Sequence, residues 1–326
     1  MLRDYLIAIA AGVASALIYA VAGSNMFLAM LIVPFAPVPL FFVGLSRGYR
    51  MVFLAGGVAA VLGGLVLGSF SFSLIYALGI LGPVALIVRN ALLKRTDPQG
   101  NVEWYPTGRL LVIGTIYFSL LFLIAAGLFA GHEGGLVGLF SEQVRAIYGE
   151  TLGAVPAPDG QSAEAALQAT AYNAVTWTPG MGVLFMAISM LLAQLVLRRF
   201  DKTLRPSFEF TEMVLPRWPA YVFAAALSLG LFAPGQIGFV GAGVAIAFGA
   251  SYFFLGITVV HNFARRLSAG IIVLIALYAL LLFAQPFSMM ALAGLGLAEQ
   301  WFNMRRRFGG GGSGPGGPSQ DLTRQE

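Results

Sequence analysis

Apolar residues run along this chain in long blocks separated by short polar or basic breaks. Ten blocks are candidate membrane-crossing helices: about 5–22, 26–45, 51–69, 72–88, 110–130, 179–197, 218–233, 237–260, 267–284 and 287–303. The pattern predicts an all-α fold, a polytopic transmembrane helix bundle of about ten spans (eight to ten), over residues 1–307. The opening "MLRDYLIAIAAGVASALIYAVAG" has one Arg before an apolar run, as a signal peptide does. That run is long and another block follows at once, so it reads as a retained first helix. The interval 131–178 is too polar to cross and reads as an outer acidic loop, with Glu133, Glu142, Glu150, Asp159 and Glu164 against Arg145. Within it, Leu136, Phe140, Val144, Ile147 and Tyr148 recur at three- and four-residue spacing, which predicts an amphipathic helix lying on the membrane or capping the bundle. After "VPAPDG" breaks the chain, a second short helix is expected from near Ser162, and the pair serves as a packing cap or a binding lid. The tail 308–326, rich in Gly and Pro, cannot bury apolar surface and is expected to be a disordered cytoplasmic tail.

Composition strengthens this picture. Of 326 residues, 58% are hydrophobic and only 10% charged, with a mean hydropathy of +0.83, far from the balance of a soluble domain. The chain has no Cys, so disulfides and thiolate metal sites are excluded. A net charge of +5 does not imply nucleic acid, because the basic residues sit in clusters between apolar blocks. With the N-terminus inside, the inner segments hold Arg3; Arg47 and Arg50; Arg89, Lys94, Arg95 and Arg109; Arg198, Arg199, Lys202, Arg205 and Arg217; Arg265 and Arg266; and Arg305 to Arg307. Only Arg145 lies outside. The asymmetry predicts an N-in, C-in topology in a bacterial inner (cytoplasmic) membrane.

Candidate chemistry is sparse. No charged residue falls near the middle of a block, which argues against a carboxylate relay for protons or sodium. Glu299 is expected to pair with a basic neighbour among Arg305 to Arg307. His132 and His261 lack a second ligand at metal spacing, and no Walker A, GxSxG or HExxH sequence is present. No enzymatic activity, cofactor or metal is therefore expected. Gly56, Ala60, Gly64 and Gly68 recur every four residues in the third block and predict a smooth helix-packing face, with a weaker echo at Gly241, Ala245 and Gly249.

The second block contains "LIVPFAPVPLFFVGLSRGYR". Pro34, Pro37 and Pro39 cannot donate to the carbonyls of Met30, Val33 and Phe35, and three prolines in six residues predict an unwound crossing. Carbonyls freed in lipid must be met by protein, water or ligand, so Met30, Val33, Pro34, Phe35, Pro37 and Pro39 mark either an interior ligand site or a kink satisfied by neighbouring hydroxyl or amide side chains. Downstream charge requires this block to cross, since a re-entrant loop would move the clusters at 89–109 and 198–217 outside.

The prolines followed by "GLSRGYR", the loop sequence "EMVLPRWPAY" and the ending "GLGLAEQWFNMRRR" resemble the DUF2232 (YybS-like) family of bacterial polytopic membrane proteins, from about residue 5 to 307. That resemblance implies the fold and the membrane, and no catalytic or ligand residue. The proline and glycine pattern is also similar, more distantly, to the substrate-binding S-components of energy-coupling-factor vitamin transporters, which are shorter bundles commonly of six helices. The expected function is to bind or move a small solute without an ATPase of its own. The alternative is a structural or assembly protein that docks a cytoplasmic partner on its basic loops. The expected partners are the lipid bilayer and a small-molecule ligand or cytoplasmic protein, with no nucleic acid.

Overall fold

The computed structural model describes residues 2–20, 31–66, 68–152, 163–207 and 212–307. Its helices are α1 (Leu2–Ala20), α2 (Val38–Arg47), α3 (Tyr49–Val66), α4 (Phe70–Ala91), α5 (Thr107–Leu128), α6 (Gly135–Leu152), α7 (Ala163–Arg199), α8 (Trp218–Phe232), α9 (Gly235–Ala264), α10 (Gly270–Phe283), α11 (Phe287–Phe302) and α12 (Met304–Arg307). A two-stranded antiparallel hairpin, β1 (Lys94–Thr96) and β2 (Val102–Trp104), joins α4 to α5. Each of the ten apolar blocks overlaps a described helix, with residues 21–22, 26–30 and 67 of those blocks lying outside the described residues. Among the described residues six helices are long and apolar enough to cross a membrane, and the shorter apolar helices include Val33–Arg47, Trp218–Phe232 and Gly270–Phe283. Large apolar side chains face outward along them: Val66, Phe232 and Phe283 are 77%, 84% and 84% exposed. Such surfaces are stable against lipid and costly in water.

The chain divides into two compact units, Met1–Tyr252 and Phe253–Glu326. In the first, one end of the helices is basic. Asp4 at the start of α1 pairs with Arg47 at the end of α2, so these helices run antiparallel. Gly48, at φ 99°, reverses the chain into α3 at this same end, in a conformation open to Gly because it lacks a Cβ. The Leu204 N–H bonds the Leu45 carbonyl at 3.0 Å, which brings the segment after α7 to the same place. At the other end of α3, Gly68 turns the chain at φ 60° and the Ser69 hydroxyl caps α4 by accepting the Phe72 N–H at 3.3 Å.

Small residues set the close crossings. A Cβ on Gly12 would lie 2.3 Å from the Ala55 carbonyl oxygen, and one on Gly241 would lie 2.6 Å from the Gly230 nitrogen, so α1 meets α3 and α8 meets α9 backbone to backbone. The expected strip on α3 is present in part. Gly56 and Gly64 face Leu81 and Ser73 of α4, and the Ala60 carbonyl accepts the Ser73 hydroxyl at 2.8 Å. Gly68 is a correction: α3 ends at Val66, and Gly68 has no atom within 4 Å of its missing Cβ and serves the turn. Gly63, which the four-residue spacing skips, abuts Phe72 instead.

The interval 131–178 also differs from expectation. The amphipathic helix is present as α6, and Leu136 and Val137 pack on a cluster of Phe122, Ala126, Val175 and Phe239. The second short helix is absent as a separate element, because α7 runs unbroken for 37 residues through Pro179. At 1.5 Å per residue it is about 55 Å long, well beyond a core of about 30 Å. It is therefore too long to lie wholly across such a core, and near its start Glu164 accepts from Arg145 of α6 at 2.6 Å.

In the second unit, a Cβ on Gly256 would lie 2.0 Å from the Leu292 carbonyl oxygen, so the end of α9 presses on α11. His261 bonds the Ile257 carbonyl through Nδ1 at 3.0 Å and the Tyr278 hydroxyl through Nε2 at 3.3 Å. Asn303, at φ 45°, ends α11 and folds the next residues back. There the Arg305 side chain and backbone N–H both donate to Glu299, at 2.8 and 3.2 Å.

Candidate functional site

The proline segment is interrupted for one turn and is not unwound throughout. Val33–Phe35 forms a single 3-10 turn, closed by the Ala36 N–H on the Val33 carbonyl at 2.9 Å, and α2 starts at Val38. Pro37 is its N-cap and Pro39 lies in its first turn. Early positions in a helix have no acceptor for an N–H, so these two prolines remove nothing that the helix uses. This local chemistry limits the break to the neighbourhood of Pro34. Met30 lies outside the described residues, and Phe35 is 46% exposed.

Two carbonyls of the break are met by side chains from other helices. Ser189 of α7 donates to the Pro34 carbonyl, and Ser15 of α1 donates to the Ala36 carbonyl, each at 2.6 Å. Ser15 also lies 2.5 Å from the Tyr76 hydroxyl. A serine hydroxyl has one proton. With that proton on Ala36, Tyr76 is the donor to Ser15, and a relay runs from Tyr76 through Ser15 to the broken backbone. Ser15, Ala36, Tyr76 and Ser189 are all fully buried. Tyr76 immediately precedes a π-helical turn, Ala77–Leu81, inside α4. Such a turn frequently accompanies function in a helix. Two irregular helices thus share one serine in the interior of the bundle.

The relay is built from hydroxyls and carbonyls, groups that can exchange hydrogen bonds with a neutral polar molecule. The spacing of the prolines points to the break and does not specify its partners. Their signal was present all the same: Ser15, Tyr76 and Ser189 are isolated polar residues within apolar runs.

A second polar feature lies at the basic end. Arg205, 8% exposed, donates to the Ala91 carbonyl at 3.0 Å, at the end of α4, where a cation also suits the helix dipole. Its guanidinium stands over the Trp104 ring at 5.9 Å. Burial pushes Arg205 down to about 10, which leaves it charged at neutral pH. Beside it opens a cleft of about 460 Å³, between the start of α5 and the segment that follows α7.

These apolar helices with outward-facing hydrocarbon define a multi-pass α-helical membrane protein. The chain belongs to the family described as "Predicted membrane protein (DUF2232)", whose match covers residues 12–299. No curated protein and no solved structure matches it.

Proposed function

We propose that this protein binds a small, uncharged polar solute in the bacterial cytoplasmic membrane and moves it across, with no ATPase or catalytic activity of its own. The observation that carries this reading is the Tyr76–Ser15–Ala36 relay on the broken helix. A regular helix satisfies its own carbonyls, whereas these two rely on hydroxyls that rotate easily and can be replaced by the hydroxyl or amide of a solute. The relay is fully buried, so binding requires the helices around Pro34 to part.

Thermal melting of the purified protein across vitamins, metabolites and lipids tests the reading. One solute class should raise the transition, since a ligand at a hundred times its Kd stabilises by about 2.7 kcal/mol, and proteoliposomes should take up that class. No shift and no uptake, together with a single stoichiometric cross-linked partner at the hairpin and the segment after α7, would establish the docking protein in its place.

The basic end is cytoplasmic in this proposal, with both termini inside. Because the chain lacks Cys, single cysteines report topology without background. Asn101→Cys, at the hairpin tip, should react with an impermeant maleimide only in opened cells, and Ala169→Cys in intact spheroplasts. The reverse pattern would overturn the orientation.

A further inference from the structure

We propose that the seam between α5 and α9 binds a hydroxyl group, that of water or of a neutral alcohol, between Ser119 and Ser251. Within the first unit the two helices meet along a stripe. The Thr115 hydroxyl lies 2.5 Å from that of Ser251, and two turns further along α5 the Phe122 ring stands against Gly243, 2.3 Å from where a Cβ would be. Ser119, four residues after Thr115 and three before Phe122, falls on the same stripe. By this antiparallel register it faces Ala247, which is completely buried and has no polar side-chain atom to offer. Ser119 is itself 5% exposed, and among the described residues its hydroxyl has no hydrogen-bond partner. A serine or threonine in a helix can return its proton to the carbonyl four residues back, as Thr115, Thr176 and Ser228 do at 3.0, 2.6 and 2.9 Å. Ser119 does not make this bond, and a hydroxyl without a partner in an apolar interior is destabilising.

The protons of the seam decide the ligand class. Thr115 gives its one proton to the Leu111 carbonyl, so Ser251 is the donor in the Thr115–Ser251 pair. Ser251 is left with lone pairs, and Ser119 with both a proton and lone pairs. A group between them must donate to Ser251 and accept from Ser119. A carbonyl or carboxylate has no proton to give, and an ammonium has no lone pair. Charge is further disfavoured at membrane depth. A hydroxyl does both from a single atom. Ser119 stands one turn, about 6 Å of rise, from the level of the Thr115–Ser251 pair. Two O–H···O bonds of about 2.8 Å each cover that span through one oxygen. The seam lies on helices that the Tyr76–Ser15 relay does not use, so it is a second polar station in the bundle and stands independently of the solute reading of the break.

A double-variant cycle, read as melting temperature in mixed micelles, tests the bridge. Ser119→Ala should lower the transition by about 2–4 °C, the size of one hydrogen bond in a chain of a few hundred residues. Ser119→Ala with Ser251→Ala should melt within about 1 °C of Ser251→Ala alone, because the bridging oxygen leaves with either end. A transition unchanged or raised by Ser119→Ala would overturn the proposal, since the hydroxyl then holds nothing, and so would a double variant that shows the sum of the two single effects. Glycerol, titrated into the unaltered protein and into Ser119→Ala, separates the sources. A rise in the transition that Ser119→Ala loses assigns the hydroxyl of a solute, and an equal rise in both, or none in either, assigns water.

Discussion

Ser15→Ala should destabilise the protein by about 2–6 kcal/mol, because it strands two buried polar groups at about 1–3 kcal/mol each. The Ala36 carbonyl loses its donor and the Tyr76 hydroxyl loses its acceptor. Both groups are completely buried, and water does not reach the interior of an apolar bundle to replace what is lost. Tyr76→Phe should cost less, about 0.5–1.5 kcal/mol, since Ser15 keeps its proton on Ala36 and loses only an incoming bond.

The double variant provides the sharper test. Once Ser15 is Ala, the Tyr76 hydroxyl is itself a buried orphan, and removing it should recover part of the loss. Ser15→Ala with Tyr76→Phe should therefore be more stable than Ser15→Ala alone, a coupling of about 1 kcal/mol or more for residues in contact. Equilibrium unfolding in mixed micelles measures all three. Simple addition of the two single effects would show that no relay exists. If the solute site is at this break, the same variants should also abolish the ligand-dependent thermal shift.

Glu299→Ala is expected to have the second large effect, on the order of 3 kcal/mol, the cost of removing one member of a buried ion pair. Glu299 is 4% exposed, and its carboxylate receives both the Arg305 side chain and the Arg305 backbone N–H. Arg266 reaches the Arg305 carbonyl at 3.3 Å, so the turn after α11 is tied to the start of the segment that precedes α10. Loss of Glu299 should release Met304–Arg307, and trypsin should then cut at Arg305 in membranes far faster than in the unaltered protein. Glu299→Ala with Arg305→Met should regain part of the stability, because the half-buried cation is removed with its partner. A cleavage rate unchanged by Glu299→Ala would show that the ion pair does not hold this turn.

Much of this molecule was legible before any tertiary structure. The block pattern located each long apolar helix among the described residues, and the nearness of Arg305 to Arg307 in "EQWFNMRRR" anticipated that Glu299 would meet a basic residue. The amphipathic spacing after residue 135 foretold α6 and the packing of Leu136, whereas Phe140 on the same expected face is exposed. Each of these rests on a single helix and its solvent, and hydrophobic periodicity reports on that directly.

The errors share one origin. Proline chemistry taken one residue at a time overstates the unwinding, because Pro37 and Pro39 sit at a helix start, where a missing N–H removes no bond. Gly68 matched the spacing of a packing strip, yet the helix had ended two residues earlier. The second short helix merged with a span because nothing around Pro179 forces a break.

Primary structure alone thus settled that this is a multi-pass helical membrane protein without thiol chemistry, and where its helices lie, because hydropathy and covalent chemistry act along the chain. It could not reveal that Ser15, Ala36, Tyr76 and Ser189 would meet, or that Trp104, Arg205 and Glu212 would line one cleft. Ser15, Ala36, Tyr76 and Ser189 lie tens to more than a hundred residues apart, as Trp104 does from Arg205, and what joins them is the packing of separate elements against one another. Hydroxyl pairing in the interior depends on geometry between elements, and no periodicity along a single helix encodes it.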